Sequence, residues 1–320
     1  MASCRMGVTA LGWADRLVRM TTTSRLLLSA CFAGAALALN GMGVIAQAAP
    51  APRVLTVTKS MAIKVLTPGN QVGAWSTSQE FTVQCPRPND RSLAPGIIFA
   101  TNPLAAMSFG PQVLGGSVVG RAGVSRTRLQ LLCLRNGRIV SRDVQGRIVP
   151  GSSPDSGRVT VRASCPRGFV PVAAPLSQDY APGFGRFISR PDGARGWLVQ
   201  VEDVPDGLIA INNPGAFARV NCVKAAASST VAKRAVLLPN GTAAMTLTCA
   251  RGRALGWGVE LGTYTRYPTR GDWATPIVAQ AQFTGTRAMR FLFRLPPGVS
   301  APADRAVDVT AHVVCGTPIA

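Results

Sequence analysis

The chain has 320 residues, 34 of them lysine or arginine against 14 acids, for a formal net charge of +20, and 47% hydrophobic residues. Its 33 glycines and 24 prolines suit a compact β-rich protein with many turns. One histidine and eight cysteines without a Cys-x-x-Cys pair exclude a structural zinc site, because His312 with Cys315 cannot fill four positions. No phosphate-cradling or dinucleotide-binding glycine motif is present.

The first segment offers two starts, Met1 and Met20. From Met20 a short stretch ending at Arg25 precedes an apolar run from Leu26 to about Leu39, then Ala46-Gln-Ala48 and Ala49-Pro50. That layout predicts a secretory signal peptide over residues 1–48, cut after Ala48. The alternatives are an uncleaved anchor and lipidation at Cys31. Residues 49–78 read as a lead-in. A first β unit is expected over 79–148, with strands near 80–85, 96–100, 112–119, 127–134 and 138–144, the last two joined through the tight-turn signal Arg135-Asn-Gly137. A turn-rich stretch, Pro150 to Gly157, leads into a second unit over 149–224 with strands near 158–165, 169–173, 185–189, 196–203, 207–211 and 217–223. Ala225-Ala-Ala-Ser-Ser-Thr230 reads as a linker, and linker plus third unit occupy 225–320. No stretch after residue 49 carries an apolar helical period over three turns. The expected fold is all-β: three tandem, disulfide-stapled antiparallel units, each sandwich- or barrel-like.

The cysteines mark the repeat. Phe81-Thr-Val-Gln-Cys85, Val161-Arg-Ala-Ser-Cys165 and Met245-Thr-Leu-Thr-Cys249 each open a unit. Leu129-Gln-Leu-Leu-Cys133, Ala218-Arg-Val-Asn-Cys222 and Ala311-His-Val-Val-Cys315 each close one. Residues two apart share a face of a strand, so every one of these cysteines falls on the apolar face of its run. Losing the leader removes Cys4 and Cys31 and leaves an even set, the usual sign of disulfides in an oxidising compartment. Six cysteines allow 15 pairings; the repeat favours Cys85–Cys133, Cys165–Cys222 and Cys249–Cys315.

Cys165-Pro-Arg-Gly168, then Gly196-Trp197-Leu-Val-Gln-Val201, then Arg219-Val-Asn-Cys222 resembles the Cys-Pro-x-Gly, Gly-Trp and Val-x-Cys units of secreted bacterial β-rich repeat proteins of unassigned function. The first unit keeps only Cys85-Pro-Arg87, and the third has Cys249-Ala-Arg-Gly252 with Gly256-Trp257 displaced towards its start. The resemblance implies secretion and disulfides within each unit. It implies no activity.

Catalysis has few side chains to draw on. A Ser-His-Asp hydrolase would have to use His312, placed by parity on the polar face of its strand with Asp308 and Thr310 and read as a solvated histidine; no Gly-x-Ser-x-Gly elbow accompanies it. A carboxylate pair is the other route, and Glu202-Asp203-Val-Pro-Asp206 is the densest acidic group, read as a turn between strands. No catalytic residue, cofactor or metal is therefore assigned. The candidate ligand surface is Arg251, Arg253, Trp257, Tyr264, Arg266, Tyr267, Arg270 and Trp273, where aromatic faces to stack on sugars lie among guanidinium forks for carboxylate or phosphate. The competing reading makes Trp257 and Trp273 core residues. The expected function is an exported, non-catalytic binding or structural protein of the bacterial cell envelope or extracellular space, whose basic surface engages an anionic polymer or glycan. The alternative is a secreted hydrolase using His312 or a carboxylate pair. Nucleic acid is an unlikely partner for an exported chain, and no membrane anchor is expected after cleavage.

Overall fold

The computed structural model describes residues 50–65, 76–77, 81–100, 104–109, 113–120, 123–147, 158–173, 186–202, 215–237, 241–262, 276–295 and 306–320. Among these, no helix occurs. The strands are β1 (Arg53–Val65), β2 (Ser76–Thr77), β3 (Phe81–Gln84), β4 (Arg91–Ala100), β5 (Leu104–Phe109), β6 (Val113–Gly120) and β7 (Gly123–Arg135). They continue as β8 (Ile139–Arg147), β9 (Arg158–Ser164), β10 (Phe169–Val172), β11 (Phe187–Asp192), β12 (Gly196–Glu202) and β13 (Gly215–Leu237). The last are β14 (Thr242–Thr248), β15 (Arg253–Leu261), β16 (Ile277–Thr284), β17 (Ala288–Arg294) and β18 (Val307–Pro318). The expected strand at 207–211 lies outside the described residues.

Side-chain alternation explains the outer strands. In β14, Ala243, Met245 and Leu247 are buried and Thr242, Ala244, Thr246 and Thr248 exposed; in its partner β17, Met289, Phe291 and Phe293 point inward. That is the period-2 pattern of a strand covering a core with one face. In β7, by contrast, Leu129 through Leu134 are all buried, because the strand has protein on both faces.

The strands fall into three sets that pair in one scheme. In the last, β14–β17–β16 form one ladder, and the back half of β13, β18 and β15 form the other. In the second, the ladders are β9–β12–β11 and β8–β13–β10. In the first they are β3–β6–β5 and β1–β7–β4. With β14 to β18 taken as B to F, this is the B–E–D and C–F–G pairing of an immunoglobulin-type sandwich with its B–F disulfide. The G place is filled by the segment that precedes B instead of one that follows F. The disulfides are Cys85–Cys133, Cys165–Cys222 and Cys249–Cys315, each joining the B and F positions of its own set. Five of the six cysteines are buried, and Cys85 is half-buried. Both Gly168 (φ 82°) and Gly252 (φ 71°) follow Cys-x-Arg in a left-handed turn that a side chain would strain.

Several boundaries differ from the sequence reading. The lead-in contains β1, paired with β7 along its whole length. Ala225–Thr230 is no linker: it lies within the 23-residue β13, whose front half closes one set and whose back half opens the next. Asn136 does adopt the left-handed turn (φ 57°), yet β7 and β8 are not hairpin partners. The chain leaves β7 to pair with β13, because the vacant edge of the following set claims the departing strand. Gly196-Trp197 begins β12, whereas Gly256-Trp257 sits in β15, so the two Gly-Trp pairs occupy different places in the scheme.

The sets also share sheets, and residues 49–320 form one compact unit. β11 continues into β15 through three residue pairs, and β16 meets β4 at Ala281 opposite Ile97. The junction of β16 with β7 and β4 is completed by a side chain: Gln130 donates to Phe283 O (3.2 Å) and accepts from Phe283 N (2.8 Å) while 6% exposed. Trp257, 1% exposed, bridges all three sets. Its backbone N–H donates to Ala173 O (3.0 Å), its indole N–H to Pro95 O (2.6 Å), and its ring meets Phe291 edge-on at 5.9 Å. Gly256 permits this, since a Cβ there would stand 2.7 Å from Ala173 O. Asp90, 1% exposed, takes a two-pronged bond from Arg135 (both 2.8 Å), which holds its carboxyl below the usual range.

Gln130→Leu leaves both main-chain groups of Phe283 without the amide they pair with. At ~1–3 kcal/mol per buried unsatisfied group, the expected loss is about 2–4 kcal/mol in urea unfolding. A loss below about 0.5 kcal/mol would show that the amide does not join the sets.

Candidate functional site

The central strand β18 creates the site. It runs between β13 and β15, and from Ala311 to Gly316 it is buried on both faces. His312 is therefore 8% exposed, not a solvated strand residue as its parity with Asp308 suggests. Asp308 remains exposed and pairs with Arg234, but four residues further along, β10 and β11 cover the same face. Between them lies a cleft of about 350 Å³, lined chiefly by Val170, Pro171, Arg190, Ser229, Thr230 and His312. Its rim includes the irregularity in β13 between Ala226 and Ser229, where the strand slips register against β18. Bulges of this kind re-aim side chains at the edge of a sheet.

His312 Nε2 lies 3.0 Å from Glu260 Oε1, and Glu260 projects from the neighbouring β15. Arg190 Nε stands 3.1 Å from the same oxygen, within ion-pair distance but without hydrogen-bond alignment, and Arg186 Nη2 is 3.7 Å from Oε2. Burial, the largest influence, pushes the His312 pKa below its ordinary 6.5; the carboxylate of Glu260 opposes this and the charge of Arg190 adds to it. The ring is thus neutral at pH 7. Its bond to a carboxylate places the proton on Nε2 and leaves Nδ1 as a lone-pair acceptor. Among the described residues no hydroxyl bonds to His312, and no group of histidine, cysteine or acid side chains is placed to hold a metal.

The sequence-predicted surface is only partly gathered. Arg251 is exposed ahead of β15, and Arg253 at its start is half-buried with its Nε shielded and unpartnered. Trp257 is in the core, where its indole is spent on Pro95 O, so it offers no face to a ligand. Tyr264, Arg266, Tyr267, Arg270 and Trp273 lie outside the described residues, as do Asp203 and Asp206 of the acidic group. Arg190 and Glu260 were given no role by sequence reasoning. They come from different sets and meet only because Ile188 pairs opposite Glu260 across the β11–β15 junction. No local spacing signals that encounter.

The electrostatics are one-sided. Every acid whose side chain is described is ion-paired with arginine: Asp90 with Arg135, Asp143 with Arg219, Asp192 with Arg162, Asp308 with Arg234, and Glu260 with Arg190 and Arg186. Exposed Arg91, Arg128, Arg142, Arg167, Arg195 and Arg290 have no carboxylate partner among the described residues.

No protein-family model matches the chain, and no curated protein is significantly similar to it. The three disulfides fit an oxidising, extracytoplasmic environment. Among the described residues no helix is long and apolar enough to cross a membrane.

The sole histidine gives one imidazole signal by NMR. A depressed pKa means that neutral His312 favours the folded state: this contribution is present above pH 6.5 and is lost as pH falls towards the folded value. The expected titration midpoint lies below 6.5, and Glu260→Gln lowers it further by removing the opposing carboxylate. A midpoint above 6.5 would contradict the burial.

Proposed function

We propose that the protein is exported and works in the cell envelope or outside the cell as a non-catalytic binding protein, its arginine surface engaging an anionic polymer or glycan. The observation that carries this reading is the pairing with arginine of every acid whose side chain is described, which leaves an outward set of guanidinium groups without a carboxylate partner among the described residues. Guanidinium forks suit carboxylate, sulfate and phosphate, and an excess of one charge raises the local concentration of an oppositely charged chain. In the same reading residues 1–48 are a cleaved signal peptide, the three six-strand sets are copies of one unit, and Arg251, Arg253, Arg266, Arg270 and Trp273 contribute to the surface. Export is supported by the three disulfides and by a compact unit that starts at Ala49.

A second reading, a secreted hydrolase, is favoured by His312, which lines the cleft and is paired with Glu260. There neutral His312 would act as general base through Nδ1, and Glu260 would fix its tautomer.

Heparin is a suitable probe of the first reading. Binding is expected to weaken about tenfold or more between 0.05 and 0.3 M salt, as screening shortens the reach of surface charge, and to fall about threefold or more in Arg251→Ala/Arg266→Ala. Salt-insensitive binding, or no binding at low salt, would overturn it. Protein recovered from the envelope or medium is expected to begin at Ala49; retention of residues 1–48 would refute cleavage.

A further inference from the structure

The closing strand of each set presents an edge that a strand from outside its B–F run completes. In the second set β8 supplies it, arriving directly from β7 of the first; in the third, the back half of β13 supplies it, continuous with the second. In the first set the same place is filled by β1. We propose that β1 is an exchangeable strand, and that a second copy of this chain supplies β1 to β7 in place of the chain's own, linking copies into oligomers.

Three features single out β1. It pairs with β7 through an unbroken antiparallel register, from Arg53 opposite Arg135 to Val65 opposite Gly123. Those ladder bonds are made by backbone groups and are the same whichever copy provides the strand, as when a peptide adds to a sheet edge. Between Arg53 and Ser60 Val54 is buried and Leu55 and Val57 are half-buried, while Arg53, Thr56, Thr58, Lys59 and Ser60 are exposed, so release uncovers three apolar side chains there. Lys59 Nζ donating to Thr82 O (2.9 Å) is one side-chain tie from this stretch to the rest of its set.

The tether is the third feature. Residues 66–75 join β1 to β2, which is itself held by β6, and at ~3.3 Å per residue these ten residues reach up to about 33 Å when extended. The other two donated strands have no such freedom: β8 leaves β7 through the short turn at Asn136, and the back of β13 is one continuous strand with its front. Intramolecular pairing is favoured by an effective concentration in the millimolar range, so exchange is expected when copies fold together at high concentration or are held side by side.

Ser60 and Arg128 stand opposite each other and are both exposed, so Ser60→Cys/Arg128→Cys places a disulfide across the β1–β7 pair. Equal amounts of ¹⁴N- and ¹⁵N-labelled double variant are refolded together under oxidising conditions at ~1 µM and ~500 µM, below and near the effective concentration of the tether. Peptide mapping is expected to find the 60–128 link within one isotope at the low concentration, and between isotopes in a substantial fraction at the high one. A link confined to a single isotope at both concentrations overturns the proposal. The unmodified full chain gives an independent check with a biotinylated peptide of residues 53–65. During refolding it is expected to be retained about tenfold over a scrambled peptide, and equal retention of the two overturns the proposal as well.

Discussion

Trp257 is the contact on which the single body depends. Its backbone and indole N–H groups donate to carbonyls of the second and first sets, and its ring edge packs on Phe291 of its own. A buried indole needs a partner for its N–H, and here that partner lies 162 residues away in sequence. Once Trp257 is seated, β4, β10 and β15 must converge on one place, and the shared sheets follow from that convergence. Asn221 repeats the logic from the second set, donating from its buried amide to Ser92 O and Leu93 O of the first.

Size makes such sharing useful. Each set taken alone is near the length at which one core is only marginally stabilising. Disulfides closing separations of 48, 57 and 66 residues remove about 4 kcal/mol of unfolded-chain entropy apiece in the loop-closure picture. They hold each sandwich shut. The donated strands, the Gln130 amide and Trp257 then join the sandwiches into one body with a common hydrophobic core. The cleft at His312 is a product of this joining: β10 and β11 belong to the second set, while β18 and the back half of β13 belong to the third. The chemistry around Glu260 exists only where two sets meet.

What was legible in the sequence is what local rules control. Cysteine parity, the alternation of Met289, Phe291 and Phe293, and the left-handed turn at Asn136 all concern residues a few positions apart, and the disulfide pairing follows from the threefold recurrence of the cysteine-ended runs. The candidate site was less legible. The arginines around Trp257 leave both a ligand-stacking and a core reading open, and His312 reads as solvated because parity alone cannot show that β10 and β11 cover that face. Ala225–Thr230 reads as a linker because it lacks large apolar residues at alternate positions, yet Ala226, Ser228, Ser229 and Thr230 are exposed strand residues and need none. In each case the deciding partner comes from another set, and single-sequence periodicity carries no information about it.

The most direct test of the claim that three sandwiches make one body is hydrogen exchange of the oxidised full chain across a urea series, followed by mass spectrometry of peptides from each set. Local units that open independently exchange at their own urea concentrations. The account predicts that peptides covering β4 and β7, β12 and β13, and β15 and β18 lose protection together, with one midpoint. Protection persisting in β15 and β18 after β4 and β7 have opened would contradict it, and would return the molecule to three separate beads on a chain.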